Sequence, residues 1–228
     1  RGPRSRCYHP PRMLELPNAD SSRARDRFTA LLIGLAVLVV FNANLRPMGA
    51  GDTYPARYLP FGILRDRTLT MERLLPLAAQ GRGETAFWIV RVPGGRAVSL
   101  YPVVLPVLVS PLYVPAYLYL RATGWPPDRF ELLARVMEKA TASLIAAATT
   151  ALVYLLLRRR AGRRTAIPLA FVFALGTTTW VISSQGLWQH GLGQLLAAAA
   201  LLLVTGRVTA GRALALGALC GLLAGNRP

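Results

Sequence analysis

A chain of 228 residues with 53% hydrophobic and only 16% charged side chains, and a mean hydropathy of +0.38, is too apolar for an ordinary soluble domain and has the bilayer as its natural solvent. The net charge of +17 would suit a nucleic-acid binder. The arginines, however, gather at the edges of apolar runs and not among stacking aromatics, so they read as topology signals and nucleic acid is set aside as a partner.

Residues 1–27 are basic and proline-containing without an amphipathic period, and predict a disordered or surface-lying cytoplasmic tail. Phe28–Leu45 (FTALLIGLAVLVVFNANL) is the first predicted membrane helix, too long for a signal-peptide core and followed by no small-residue cleavage site. Arg23, Arg25 and Arg27 mark its inner end. Residues 46–131 predict a long outer loop, with an amphipathic helix over Thr70–Ala79 and a hairpin turning at Pro93-Gly94-Gly95.

Within that loop, residues 102–120 (PVVLPVLVSPLYVPAYLYL) are apolar enough to span but carry Pro102, Pro106, Pro111 and Pro115. The positive-inside rule decides the assignment. The run 132–157 ends at Arg158, Arg159, Arg160, Arg163 and Arg164, a cluster that belongs in the cytoplasm, and it reaches that side only if 102–120 does not cross. Three further helices follow at 167–182, 192–205 and 213–225, with an outer turn at Ser183–Gly191 and an inner loop marked by Arg207 and Arg212. The expected fold is an all-α polytopic membrane bundle of about five transmembrane helices, with a proline-rich interfacial segment. Opening on Arg1 and stopping at Pro228 directly after an apolar run, the chain reads as part of a longer protein.

Seven of the ten acidic residues lie between Asp52 and Glu138, and none follows. Carboxylate chemistry is therefore expected on the outer side. Asp52, in Gly51-Asp52-Thr53-Tyr54-Pro55-Ala56-Arg57, stands close beyond the first helix, where it serves as a general base, a ligand for a divalent metal, or a turn carboxylate holding loop backbone. Gln185, Trp188, Gln189 and His190 collect at the outer end of two helices, as a polar site or as interfacial anchors and a cap. Arg135, Glu138 and Lys139 share a helix face, to grip a lipid phosphate or to pair among themselves, and Arg227 is a further outer cation. Two histidines and the scattered Cys7 and Cys220 offer neither a zinc ligand set nor a disulfide.

The order of parts resembles the membrane glycosyltransferases of the GT-C class, and within it the bacterial relatives of the protein O-mannosyltransferase and aminoarabinose transferase families. One helix is followed by GDTYPARYLPFGILRD, then SLYPVVLPVLVSPLYVPAYL, then ARVMEKATASLIAAATTALVYLLLRRRAGRR, then SSQGLWQHG and a closing NRP. The resemblance implies a bacterial inner-membrane protein with a cytoplasmic N-terminus. It implies a polyprenyl-phosphate-linked sugar as donor, an essential acid at Asp52, and outer-face cations on the phosphate, for which Arg57, Arg135, Lys139 and Arg227 are candidates. The family's acidic pair is here Gly51-Asp52. The lysine-proline-proline motif of the aminoarabinose branch is here Leu100-Tyr101-Pro102, which makes Tyr101 the candidate at that place. The competing reading is a non-enzymatic transporter or lipid-flipping subunit, against which stands the scarcity of charge in the middle of the apolar runs.

Overall fold

The computed structural model describes residues 19–44, 48–78, 87–206 and 209–226. Among them the elements are α1 (Ala19–Asn42), α2 (Tyr54–Asp66), the hairpin β1 (Ile89–Arg91) and β2 (Ala97–Ser99), α3 (Val104–Val109), α4 (Val114–Thr123), α5 (Pro127–Arg158), α6 (Arg163–Leu175), α7 (Gln189–Val204) and α8 (Ala210–Asn226).

Several expectations are corrected. The basic segment ahead of Phe28 is not disordered where it is described: α1 begins at Ala19, and Asp26 in its second turn accepts a hydrogen bond from Arg158 Nε at 2.9 Å, which ties this end of α1 to the end of α5. A helix at Tyr54–Asp66 went unrecognised because Pro55 and Pro60 read as loop punctuation. Pro55 occupies the first turn, where its missing N–H costs nothing. Thr70–Ala79 forms successive turns in place of a helix over its described part, since Thr70 bridges to Val98 and Met71 N–H donates to Ala97 O at 2.8 Å, drawing the segment onto the hairpin edge. The hairpin is where it was expected, with Val90 paired to Val98. Gly94 and Gly95 make the turn at φ 90° and 78°, a region that residues with a Cβ avoid. The helix predicted over 167–182 stops at Leu175, and a separate π-helical turn follows at Thr179–Ser183.

The proline-rich run divides into α3, a 3-10 turn at Ser110–Tyr113, and α4. Pro111 and Pro115 each fall in the first two positions of their segment, the places where a helix tolerates proline. Taken together, Val104–Thr123 is one of two helical runs long and apolar enough to cross a membrane, the other being α5. Both ends of Val104–Thr123 nevertheless lie at one end of the bundle. Val104 sits against Gly225 in the last turn of α8, and beyond Thr123 the ring of Trp125 packs 6.0 Å from Phe130 in the first turn of α5.

The five longer apolar helices alternate in direction as expected. At one end, Arg163 at the start of α6 donates to Thr29 of α1 at 2.6 Å, and Arg159 at the end of α5 donates to Thr205 just past α7. At the other, Asn226 of α8 donates to Gln189 O of α7 at 2.9 Å, and Lys139 of α5 to Phe41 O of α1 at 2.7 Å. The central helix is α5, with α1, α6 and α7 packed along it and α8 on α7. Alanines make the close approach: Ala146, Ala147 and Ala174 meet Val37 and Phe41 in one cluster, while Ala30, Ala166 and Ala170 surround Ile33 and Tyr154 in another.

At 32 residues α5 is about 48 Å long. Lys139 stands level with Phe41 near the end of α1, so the first third of α5 projects past α1 and carries α2 and the proline-rich run against it, with Trp88 before the hairpin packed on Tyr54 and Tyr58 of α2. Their shared core is aromatic, with Phe61 5.1 Å from Tyr113 and 5.2 Å from Phe130 in edge-to-face geometry.

Replacing Ala146, 1% exposed at the α1–α5 contact, by Leu should overpack that interface. The expected cost is about 1–3 kcal/mol, seen as a fall in the thermal midpoint of the purified protein with its helical circular dichroism unchanged.

Candidate functional site

Polar residues converge where α5 passes beyond the end of α1. Glu131, Arg135 and Glu138 recur at spacings of four and three, which puts them on one face of α5. That face is met by α2, whose Arg57 is 4% exposed and reaches across to both acids. Arg57 Nε lies 2.6 Å from Glu138 Oε2, and Nη1 lies 3.4 Å from Glu131 Oε1. The Tyr58 hydroxyl donates to Glu131 Oε2 at 2.9 Å, and Arg135 Nε donates to Glu131 Oε1 at 2.8 Å. The Arg57 guanidinium also stands over the Tyr54 ring, 4.8 Å from its centroid.

Burial is the largest influence on Arg57 and works against its charge, but Glu138 and Tyr58 together outweigh it and hold the guanidinium above its ordinary value. Burial, reinforced by the Glu131 carboxylate, pushes the Tyr58 phenol up as well, so it stays a hydrogen-bond donor.

Two glycines let the backbone close over this pair. A Cβ on Gly49 would collide with the Arg57 guanidinium, and one on Gly186 would come within 2.9 Å of Met48 O and 3.5 Å of Glu138 Oε1. The loop 48–53 therefore lies directly on the Arg57–Glu138 pair. It continues into α2 through a turn in which Thr53 N–H donates to Ala50 O at 2.9 Å. Asp52 is in that turn, half-buried, immediately before the N-terminus of α2, whose dipole favours a negative charge there. Asp52 makes no side-chain hydrogen bond or ion pair to any described residue.

Lys139 has a different set of partners. Its ammonium donates to Phe41 O, to Ser184 O at 3.4 Å and to the Gln185 side-chain oxygen, which uses its three N–H groups. Gln185 in turn donates to Trp180 O at 3.0 Å and to Ser184 Oγ at 2.8 Å, while its backbone carbonyl accepts from Met48 N–H at 3.0 Å. Ser143 Oγ donates to Ser184 O at 3.0 Å. The π-helical turn and the two residues after it are thus sewn to the ends of α1 and α5.

The expected site residues separate accordingly. Asp52, Arg57, Arg135, Lys139 and Gln185 gather at this end, and Trp188 joins them through Gly186, where an added Cβ would lie 3.2 Å from the indole nitrogen. Arg57 and Lys139 are enclosed by protein acceptors, so neither offers an open guanidinium or ammonium to a phosphate. Arg135, with 48% of its side chain exposed, does. His190 stacks on Trp188 at 6.3 Å on the exposed rim. Tyr101 packs half-buried against the aromatic core, with its backbone N–H donating to Ser99 Oγ at 2.9 Å. Arg227 lies outside the described residues. Among the described residues no group of three His, Cys, Asp or Glu side chains is placed to hold a metal ion.

Sequence reasoning passed over Glu131 and Tyr58, and it paired Glu138 within its own helix where the structure pairs it with Arg57. The signal was available in the acidic residues themselves, which at a spacing of seven share one helix face and, once buried, require a partner. The Tyr113 hydroxyl, fully buried and within electrostatic reach of Glu138 and Arg57, has no hydrogen-bond partner among the described residues. No family model matches the chain, and neither a curated protein nor a solved structure matches it.

Glu138→Ala should leave Arg57 buried with only the longer contact to Glu131. A loss of about 3–5 kcal/mol in unfolding free energy is expected by denaturant titration. Arg73→Ala, which removes an exposed contact to Asp66, should stay within about 1 kcal/mol of the parent.

Proposed function

We propose that the chain is the membrane-embedded part of a glycosyltransferase that moves a sugar from a polyprenyl-phosphate carrier to an acceptor hydroxyl at the outer face of a bacterial inner membrane. The observation that carries this reading is Asp52: a half-buried carboxylate without a partner among the described residues, beside a helix N-terminus, on a loop clamped to the Arg57–Glu138 pair. A turn carboxylate holding loop backbone would show its hydrogen bonds. Thr53 and Ala50 make that turn without it.

In the proposed reaction Asp52 takes the proton of the acceptor hydroxyl as its oxygen attacks the anomeric carbon. The bond from that carbon to the carrier phosphate oxygen breaks, and the polyprenyl phosphate leaves with the electron pair. A single displacement inverts the anomeric centre. Arg135 is the accessible cation for the leaving phosphate, while Arg57 and Lys139 are positioning residues that hold α2 and the Ser184-Gln185 turn.

The membrane placement rests on lengths and surfaces. Residues 140–157 of α5 carry no charge and extend about 27 Å, close to the hydrocarbon thickness. Leu31, Leu35 and Val39 on α1, Val172 on α6, Leu201 on α7 and Leu214 on α8 are all exposed, as lipid-facing side chains are. We place α1, α5, α6, α7 and α8 across the bilayer. Val104–Thr123 would then lie along the outer interface, its exposed Val107, Leu108 and Leu118 in contact with lipid.

Asp52→Asn in the full-length protein should lower transfer from a polyprenyl-phosphate sugar by about 10²–10⁴-fold with thermal stability retained. Transfer at the parental rate would overturn the assignment. Single cysteines at the exposed positions 96 and 190 should react with a membrane-impermeant maleimide in intact cells, and one at 160 only after permeabilisation. Labelling of 160 from outside would refute the topology.

A further inference from the structure

The opposite end of the bundle contains a cavity of about 1060 Å³ where α1, α5, α7 and the start of α8 meet. Among the described residues five arginines and a single acid line it: Arg23, Arg27, Arg158, Arg159 and Arg212, with Asp26. The acid is already taken, since Arg158 Nε lies 2.9 Å from Asp26 Oδ1. Arg23 and Arg27, one turn apart on α1, have no hydrogen-bond or ion-pair partner among the described residues. Across the cavity Arg159 donates to Thr205, and Gly206 has no Cβ where one would strike the Arg212 guanidinium, so both cations are held at the bend between α7 and α8. The wall is apolar, formed by Leu155, Leu202 and Leu203.

Arg23 and Arg27, without a partner among the described residues, beside further guanidiniums and above a leucine wall, fit one ligand chemistry, a phosphate carrying an apolar chain. Guanidiniums bind phosphate through paired N–H donors, and clustered basic residues at the cytoplasmic side of membrane helices attract anionic headgroups. We propose that this cavity is a binding site for an anionic phospholipid, the phosphodiester held by Arg23, Arg27, Arg159 and Arg212 and an acyl chain laid on the leucines. The site rests on the membrane placement above but not on the transfer reaction. It is separated from Asp52 by the length of the bundle. Its occupant would bridge α1 to the α7–α8 bend, which are joined at this end mainly through α5.

The test uses the purified full chain, delipidated in a neutral detergent, and reads thermal stability and lipid retention by native mass spectrometry. Phosphatidylglycerol should raise the thermal midpoint by several degrees and remain bound, phosphatidylcholine should do neither, and inorganic pyrophosphate should give no comparable shift. The double variant Arg23→Gln/Arg27→Gln should weaken phosphatidylglycerol retention by about tenfold or more. Arg159→Gln provides a second reading from the facing helix, and Arg73→Gln/Arg96→Gln, which removes two charges from the far end, should retain lipid as the parent does. Equal effects of the two lipids, or parental retention in both arginine variants at the cavity, would overturn the proposal. Protection by pyrophosphate equal to that by phosphatidylglycerol would overturn a lipid occupant in favour of a soluble polyphosphate. Asp52→Asn should keep the lipid, so failure of the transfer reading and failure of this site are told apart.

Discussion

The contact between Arg57 and Glu138 governs the end of the molecule where α2 meets α5. Both side chains are removed from water, and each ion gives up several kcal/mol of hydration, so the pair is tolerable only with short contacts and its remaining lone pairs and protons satisfied. Those conditions are met by parts of the chain far apart in sequence. Glu131 takes a second N–H of the guanidinium, the Tyr54 ring covers it, and Leu187 N–H approaches the other oxygen of Glu138 at 3.4 Å. Satisfying one ion pair therefore fixes how α2, α5 and the turn after the π-helix stand relative to one another.

The position of Asp52 follows from the same pair. Its loop is pressed onto Arg57 at Gly49 and held to the far turn by Met48, so the carboxylate is carried on backbone bound at both ends. A group that must meet a substrate benefits from such support, because misplacement by even an ångström is costly to a reaction. Arg57 and Lys139 contribute by being unavailable. With their donors committed they hold the scaffold, and the exposed Arg135 is left as the cation facing solvent.

The two ends of the bundle have opposite chemistry. Toward the arginine-rich end, α1, α5, α7 and α8 bring together more cations than acids. Toward the other, the acids of α5 are matched by Arg57 and Arg135. Between them, residues 140–157 of α5 are uncharged. This segregation keeps the Arg57–Glu138 end and the arginine-lined cavity apart, with an uncharged stretch of α5 between them.

The residues alone determined that the chain is largely helical, that successive apolar helices reverse direction, that the hairpin turns at Gly94-Gly95, and that seven of the ten acids lie between Asp52 and Glu138. Each of these follows from local composition and period, or from the rule that basic clusters remain on one side. Helix boundaries were less legible: Ala19–Phe28 joined α1 through the Asp26–Arg158 pair, and α2 formed despite two prolines because Arg57 and Tyr58 find partners on α5. The tertiary structure alone decided which cations are open and which enclosed. Sequence spacing placed Arg135, Glu138 and Lys139 on one face, yet only Arg135 pairs along the helix, with Glu131, while Glu138 and Lys139 take partners from other elements, Arg57 and the Phe41–Gln185 backbone and side chain. Spacing along a helix specifies neighbours on that helix, whereas a buried charge is satisfied by whichever element packs against it, and that is a property of the folded chain.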